Sequence, residues 1–287
     1  MKLFVKNLTH VDLSYFCPDR GLLGESWHTD ITLTGKLNDE SMICDFSIVK
    51  KRIKQWLDEH IDHTLALPVS HPDSILDHHN DGRLIFSFRH QDGAQFECTA
   101  PSEAFCQLPL PHITPEDTAR WVEQQIIDLL PAELESVQIK FTPEKTNEAQ
   151  YQYSHGLKKH DGNCQRIAHG HRSIIEIYRN GLRDKALEHD WAQRWRDIYL
   201  GTEEDLIGMI VDGDFRYHHF SYASAQGLFD LKTDSRRCYM LDCDTTVESL
   251  SDHIARTLAG ENPDDTVEVH AFEGIGKGAI SEHKVSK

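Results

Sequence analysis

The sequence predicts an α+β protein built as two tandem units, each an antiparallel sheet with helices packed on one face. Three observations carry that expectation. Strand-like alternation predominates and neighbouring runs are joined by short turns. Two long helices interrupt the strands of the first half instead of alternating with them one for one. The order of elements also recurs in the two halves, although residue identities have drifted.

The recurrence is clearest late in each half. Phe86, Ser87 and Phe88 begin a strand that turns at Asp92 and Gly93, continues from Gln95 to Cys98, and leads to a helix opening at Thr114. Phe220, Ser221 and Tyr222 begin the same series, which turns near Gln226 and Gly227 and leads to a helix opening at Thr246. The separations are 28 residues from Phe86 to Thr114 and 26 from Phe220 to Thr246. A strand follows each helix, Val137 to Phe141 and Val267 to Phe272. The division is placed at 1–147 and 148–287, with the strand from Glu148 to Ser154 opening the second unit.

The helices have clear local signals. Thr114 offers an N-cap hydroxyl, Pro115 suits the first helical position, and Glu116 and Asp117 favour the positive end of the dipole. Ala119, Val122, Ile126 and Leu129 then keep a helical apolar period up to Pro131. An earlier helix is expected from about Ser47 to Glu59, with Ile48, Ile53, Trp56 and Leu57 as its apolar stripe. A third helix, marked by Leu187, Trp191, Trp195 and Ile198, is expected as an insertion without a counterpart in the first half. Further strands are expected at Thr29 to Leu37 and Ser173 to Tyr178.

Composition excludes several classes. The chain has 287 residues, 39% hydrophobic and 27% charged, near the globular average, so it buries a sizeable core. Its net charge of −17 repels phosphate backbones and argues against a nucleic-acid partner. No apolar run is long enough to span a bilayer and no cleavable leader is seen, so a cytoplasmic protein without membrane association is expected. Seven cysteines, odd in number and without a CxxC pair, fit a reducing compartment. Gly274, Gly276 and Gly278 with Lys277 follow a strand, but no helix opens after them, so they do not form a phosphate-binding loop.

The most specific local signal is His155, Cys164, His169 and His171. Residues at i and i+2 of a strand share a face, so His169 and His171 converge. Antiparallel pairing across the intervening loop would bring His155 beside them. Three neutral imidazoles with a fourth position open are the donor set of a catalytic zinc ion. An isolated His-x-His is more often a surface pair; the third histidine, the cysteine and the strand context point the other way.

Together YSHGL, NCQRIAHGH, GMIVD at Gly208 to Asp212, the helix start at Thr246 and Glu248, and Glu273 resemble the family of 6-pyruvoyl- and 6-carboxy-tetrahydropterin synthases. The first half resembles it through CDF at Cys44 to Phe46, Asp62 and His63 after the helix, and Thr114 with Glu116. The resemblance covers nearly the whole chain as two units. It implies the tunnelling fold, a pterin substrate, and sites formed between units of a homo-oligomer, here a trimer of two-unit chains. It further implies zinc on His155, His169 and His171, with Cys164, Asp62 and His63 as catalytic residues. Glu273, Thr246 and Glu248 are implied to bind the pterin. Cys164 stands five positions before His169 where the family has four, a difference that a bulge would absorb.

The halves divide these parts. The first half has no histidine in VDLSYF and retains only His28 in GESWH, while the second lacks an Asp-His dipeptide at the corresponding place. Complementary loss after duplication would leave one composite site per chain, and Phe141 at the strand position expected to match Glu273 agrees with a single pterin pocket. There, zinc would acidify C–H bonds of the pterin side chain, Cys164 as a thiolate would take the proton, and His63 steered by Asp62 would relay one on the other side. The expected reaction is conversion of 7,8-dihydroneopterin triphosphate to 6-carboxy-tetrahydropterin, on the deazapurine (queuosine) route. The rivals are the pyruvoyl-forming synthase, which eliminates triphosphate, and a non-catalytic pterin- or metal-binding module.

Overall fold

The structure is a computed structural model that describes residues 1–285. The first half runs β1 (Lys2–Cys17), β2 (Gly21–Gly35), α1 (Phe46–His60), β3 (Leu65–Pro68), β4 (Ser74–His78) and β5 (Leu84–Arg89). It continues with β6 (Gln95–Ala100), β7 (Phe105–Leu108), α2 (Pro115–Ile126) and β8 (Leu134–Pro143). The second half follows the same order: β9 (Gln150–His155), β10 (His169–Arg179), a short β11 (Leu182–Arg183), α3 (Lys185–Arg194), β12 (Ile198–Thr202) and β13 (Leu206–Asp212). Then come β14 (Phe215–Ser224), β15 (Gly227–Asp234), β16 (Cys238–Leu241), α4 (Val247–Glu261) and β17 (Thr266–Phe272), with β18 (Gly278–Lys284) added at the end.

Three sheets result. The first half forms β7-β3-β1-β2-β8 and the second forms β16-β12-β9-β10-β17-β18, with β11 paired to β10. The third is shared: β13-β14-β15 of the second half joins β6-β5-β4 of the first through Asp230 to Lys232 against Glu97 to Thr99. The sheets are not purely antiparallel. In each half the strand after the first helix pairs in parallel with the opening strand, β3 with β1 and β12 with β9.

The helices begin where cap chemistry dictates. Asp45, Thr114, Asp184 and Thr246 each accept backbone N–H bonds from the first turn. Helices α1 and α2 cover the first sheet through Val49, Ile53, Leu57, Ala119, Val122 and Ile126. On the second, α3 and α4 do the same through Trp191, Leu250, Ile254 and Leu258. A third core, with Phe16, Phe86, Phe220 and Phe229, lies against the shared sheet. Helix α3 is not an insertion. It stands between β10 and β12, as α1 stands between β2 and β3, and it ends at Arg194, so Ile198 opens a strand. Identity had drifted too far for spacing alone to pair the two helices.

The repeat can be followed residue by residue. Ser14 pairs with Gly24 on β2 and with Leu65 on β3. Ser154 pairs with Gly170 on β10 and with Tyr199 on β12. Two residues before Leu65 and Tyr199, His63 and Asp197 both take the left-handed conformation, at φ 55° and 57°. Across the molecule these equivalent positions meet. Ser14 Oγ lies 2.6 Å from Ser154 Oγ. A Cβ on Gly24 would fall 1.8 Å from the Tyr153 carbonyl oxygen, and one on Gly170 would fall 2.7 Å from Gly24 Cα. The two central hairpins therefore touch backbone to backbone, an approach that only glycine allows.

Gly24→Ala is expected to lower stability by more than about 3 kcal/mol, because its Cβ meets main chain that cannot rotate away. Gly208→Ala, with open space around it, serves as the control and stays within about 0.5 kcal/mol. Thermal unfolding of both variants decides; a Gly24→Ala chain as stable as its parent would refute the backbone contact.

Candidate active site

Antiparallel pairing of β9 with β10 sets His155 directly opposite His169, and the i, i+2 rule turns His171 to the same face. Ring centroids lie 4.3 Å (155 to 169), 5.3 Å (155 to 171) and 5.7 Å (169 to 171) apart. The donor nitrogens all fall within 4.8 Å of one another. The three side chains are at most 1% exposed.

The hydrogen bonds around them orient the rings. His155 Nδ1 faces the Thr245 carbonyl at 3.1 Å and its hydroxyl at 3.0 Å, and His169 Nδ1 faces the Arg166 carbonyl at 3.1 Å. An Nδ1–H donating to a carbonyl leaves Nε2 as a bare lone pair. Those two Nε2 atoms and both ring nitrogens of His171 are buried without a hydrogen-bond partner. Burial first, and neighbouring imidazoles second, hold His155 and His169 well below the usual histidine range, so both are neutral. Each unpaired buried polar atom costs about 1–3 kcal/mol. Three convergent imidazole donors, with open nitrogens and no competing cation among them, fit a divalent ion of zinc's preference.

Asp12, on β1 of the other half, stands behind His171. Its Oδ1 lies 3.3 Å from His171 Nδ1, outside good hydrogen-bond geometry, and it accepts the Ser26 hydroxyl. Burial opposes its charge, but His171 and Ser26 prevail and hold the carboxyl well below its usual range. A carboxylate behind a ligating imidazole is the usual outer partner at such sites. Asp12 carried no motif; only the contact between hairpins brings it here.

Asp62 and His63 also come from the first half. Asp62 Oδ2 lies 2.6 Å from His63 Nδ1, and its Oδ1 accepts the Asp12 amide at 2.7 Å. The His63 amide donates to the Asp12 carbonyl at 2.6 Å, fixing the left-handed turn. The His63 ring packs 5.2 Å from His169, and Cys164 Sγ lies within 4.8 Å of the donor nitrogens of both. Burial works against a charged His63, but Asp62 and Cys164 outweigh it and push the ring up to about 10. The extra residue between Cys164 and His169 is taken up by a 3₁₀ turn at Asn163–Gln165, not by a bulge.

The other expected site residues divide. Glu273 follows β17, 3.2 Å from Lys277 Nζ, which reaches Asp12 Oδ2 at 3.9 Å. The next residue, Gly274, packs so closely on Asp12 that a Cβ would sit 2.6 Å from its Oδ1. The Gly-rich segment is thus a β17–β18 turn that presents Lys277 to the site. Thr246 is the α4 cap, and its neighbour Thr245 is the one that holds His155. Glu248 is exposed in a surface depression with Asp242, Cys243, Ser249, Asp252 and Arg256, and the chain does not bring it to the histidines. The helix turns it outward two residues after the cap. Asp212 of GMIVD is exposed on β13, and the true counterpart of Asp62 and His63 is Arg196 and Asp197.

Against known proteins, the family model described as 6-pyruvoyl tetrahydropterin synthase matches residues 7–152, just over half of the 287. The chain belongs to the 6-pyruvoyl tetrahydropterin synthase family. Its two units are tandem tunnelling-fold units of that family. The match covers Asp12, Asp62 and His63, while the three clustered histidines and Cys164 lie beyond it. A Methanocaldococcus jannaschii relative named "Putative 6-carboxy-5,6,7,8-tetrahydropterin synthase" is 34% identical over 108 residues, 37% of this chain. The chain spans 62% of that relative's length. The Plasmodium vivax 6-pyruvoyltetrahydropterin synthase structure is 18% identical, covering 51% of this chain and 93% of its own, with a TM-score of 0.43. The Plasmodium falciparum synthase is 17% identical, covering 50% and 90%, with a TM-score of 0.42.

The position of the three-histidine cluster has a mirror in the first half, and it is filled differently. Register sets Tyr15, Leu23 and Glu25 where the second half has His155, His169 and His171. His28 is not the remnant of the pair; it lies farther along β2, edge-on to His10 with ring centroids 4.8 Å apart. Phe141 likewise corresponds to Ala271, not Glu273, since they pair with the equivalent Thr29 and Ile175. Gln152 replaces Asp12, and Arg172 closes on Glu25 with bonds of 2.5 and 2.8 Å. Arg20 bridges Gln152 at 2.6 Å and Asp197 at 2.9 Å.

Two outcomes are expected. Asp12→Asn should weaken divalent-metal binding about 10–100-fold, read by competition with a chromophoric chelator; unchanged affinity would remove Asp12 from the site. Glu25→Ala, which leaves Arg172 without its carboxylate, should cost about 3–5 kcal/mol of stability while metal analysis still finds the same tightly held ion.

Proposed function

We propose that the chain is a zinc-dependent lyase that converts 7,8-dihydroneopterin triphosphate and one water to 6-carboxy-tetrahydropterin, releasing acetaldehyde and triphosphate, on the route to deazapurines. In this reading residues 1–147 are a synthase-like unit without metal ligands and residues 148–287 the unit that bears them. The observation that carries the reading is the set of buried, unpartnered imidazole nitrogens beside Cys164 and His63. The name of the Methanocaldococcus jannaschii relative favours the 6-carboxy product.

His155, His169 and His171 would hold the ion, which when bound supplies the Lewis acidity that loosens C–H bonds next to the pterin side-chain oxygens. Cys164 takes the proton from that carbon. The positive His63 ring and the Lys277 ammonium stand near its sulfur, surroundings in which a thiolate works as a base. His63, kept protonated by Asp62 and seated beside Cys164, relays the second proton from that same end of the site. Asp62 also grips the Asp12 amide, so one carboxylate sets both the proton donor and the strand behind His171. Glu273, released from Lys277 by the incoming ring, accepts the paired N–H donors of the pterin.

A trimer of chains agrees with the sheet edges. The outer edge of the shared sheet at β13 exposes Ile207, Met209, Ile210 and Val211, and the opposite edge at β4 exposes Ile75 and Leu76. Unpaired apolar edges are templates for strands of another copy.

The pyruvoyl-forming reaction is the second reading, favoured by the description of the matching family. Mass spectrometry of products from dihydroneopterin triphosphate separates the two: acetaldehyde with a carboxylated pterin supports the first, a retained three-carbon side chain the second. In either case Cys164→Ala should reduce turnover about 10²–10⁴-fold with metal content unchanged. Undiminished turnover would remove the proposed base.

A further inference from the structure

One cationic group near the site has no ion-pair partner. Arg166 is 4% exposed, yet among the described residues no carboxylate lies within ion-pair distance of its guanidinium, Glu103 and Asp62 acting on it only from farther away. Its Nε donates to Gln226 Oε1 at 3.1 Å and one Nη donates to the His63 carbonyl at 3.4 Å. The second Nη makes no hydrogen bond within the chain. A buried charge without a partner is expensive and is kept where something else supplies the compensation. Arg166 lines a cavity of about 330 Å³ formed with Pro101, Glu103, Ala104, Gln226 and Phe229. That volume is in the range of small-molecule subsites.

The position of this cavity is set by the active site. The Arg166 carbonyl holds His169, its guanidinium holds the backbone of His63, and Gln226 also grips Asn163 beside Cys164 at 2.8 Å. Glu103 is exposed on the rim, its charge felt by Arg166 but not paired with it. A tetrahedral, multiply charged oxyanion matches a guanidinium with an unused pair of donors.

We infer that Arg166 and this cavity form an anion subsite for a phosphorylated tail. Resting on the lyase reading, that tail is the triphosphate of the pterin substrate, drawn away from the metal as it leaves. Arg166 then positions the chain of phosphates while its carbonyl fixes His169, so anion binding and ring orientation share one residue. In an otherwise acidic molecule this is where a polyanion finds an uncompensated positive charge.

The test uses the full metal-loaded chain with inorganic phosphate as the probe, followed by calorimetry. The wild type is expected to bind one equivalent, Arg166→Gln at least tenfold more weakly, and Arg166→Lys between the two. Glu103→Gln lies on the exposed rim, folds regardless, and is expected to bind phosphate at least threefold more tightly. Equal binding by wild type and Arg166→Gln, or no tightening in Glu103→Gln, overturns the subsite. With dihydroneopterin triphosphate, Arg166→Gln should raise KM at least tenfold with a smaller change in kcat. A chain that binds phosphate through Arg166 but turns over no pterin defeats the lyase reading alone; a turning-over chain whose KM and phosphate affinity ignore Arg166→Gln defeats the subsite alone.

Discussion

The backbone contact between the two central hairpins, at Gly24 and Gly170, is the constraint on which the rest of the molecule depends. Side chains on most packed sheets hold backbones about 10 Å apart. Here two glycines and the Ser14 to Ser154 bond let the strands close completely. Residues two positions from the contact on one hairpin therefore reach the other. Asp12 meets His171 on one side, and Arg172 meets Glu25 on the other.

Those two meetings use the same geometry for opposite ends. On the histidine side, polar atoms are buried and left open, which costs stability until an ion arrives. On the Glu25 side every strong group is answered: Arg172 by Glu25, Gln152 by Arg20 and Glu25, Arg20 by Asp197. Burial and the nearby Glu25 also push Tyr15 up to about 12, so the residue standing where His155 stands in the other half stays protonated. The closed side can thus hold the interface rigid while the open side keeps its nitrogens unsatisfied. Local strain of that kind persists only where surrounding structure over-determines it.

Much of this was legible from the residues, and what was not has physical causes. Strand alternation, caps at Thr114 and Thr246, and the repeated strand–turn–strand series are local signals, and the structure has those elements where the pattern puts them. The three histidines were legible because the period of a strand decides which side chains share a face. Helix α3 differs from the expected insertion because it is shorter than α1, ten residues against fifteen, and shares little of its sequence, so its matching place in the order of elements shows only in the fold. Asp12, Thr245, Lys277 and Arg166 were invisible for a different reason: each reaches the site through tertiary approach, and no spacing along the chain announces that. Glu248 differs in the opposite way: a motif places it at a helix start, and its position two residues past the cap faces it to solvent, away from the histidines of the same chain.

Joining two units in one chain changes what substitution can do. In an assembly of identical single units, a replacement at the position of Glu25 would also appear at the position of His171, because the two are the same residue. Duplication separates them. The left-handed residue after each first helix shows the consequence: His63 and Asp197 keep the same φ and the same place before a parallel strand. One faces a thiol and an imidazole, the other an arginine. The backbone is held by the fold, and the side chain is free to pair with Asp62 beside a thiol on one side and to form an ion pair on the other. That freedom leaves the two sides unlike, since the groups that close the Glu25 side are the ones that keep the histidine side in register.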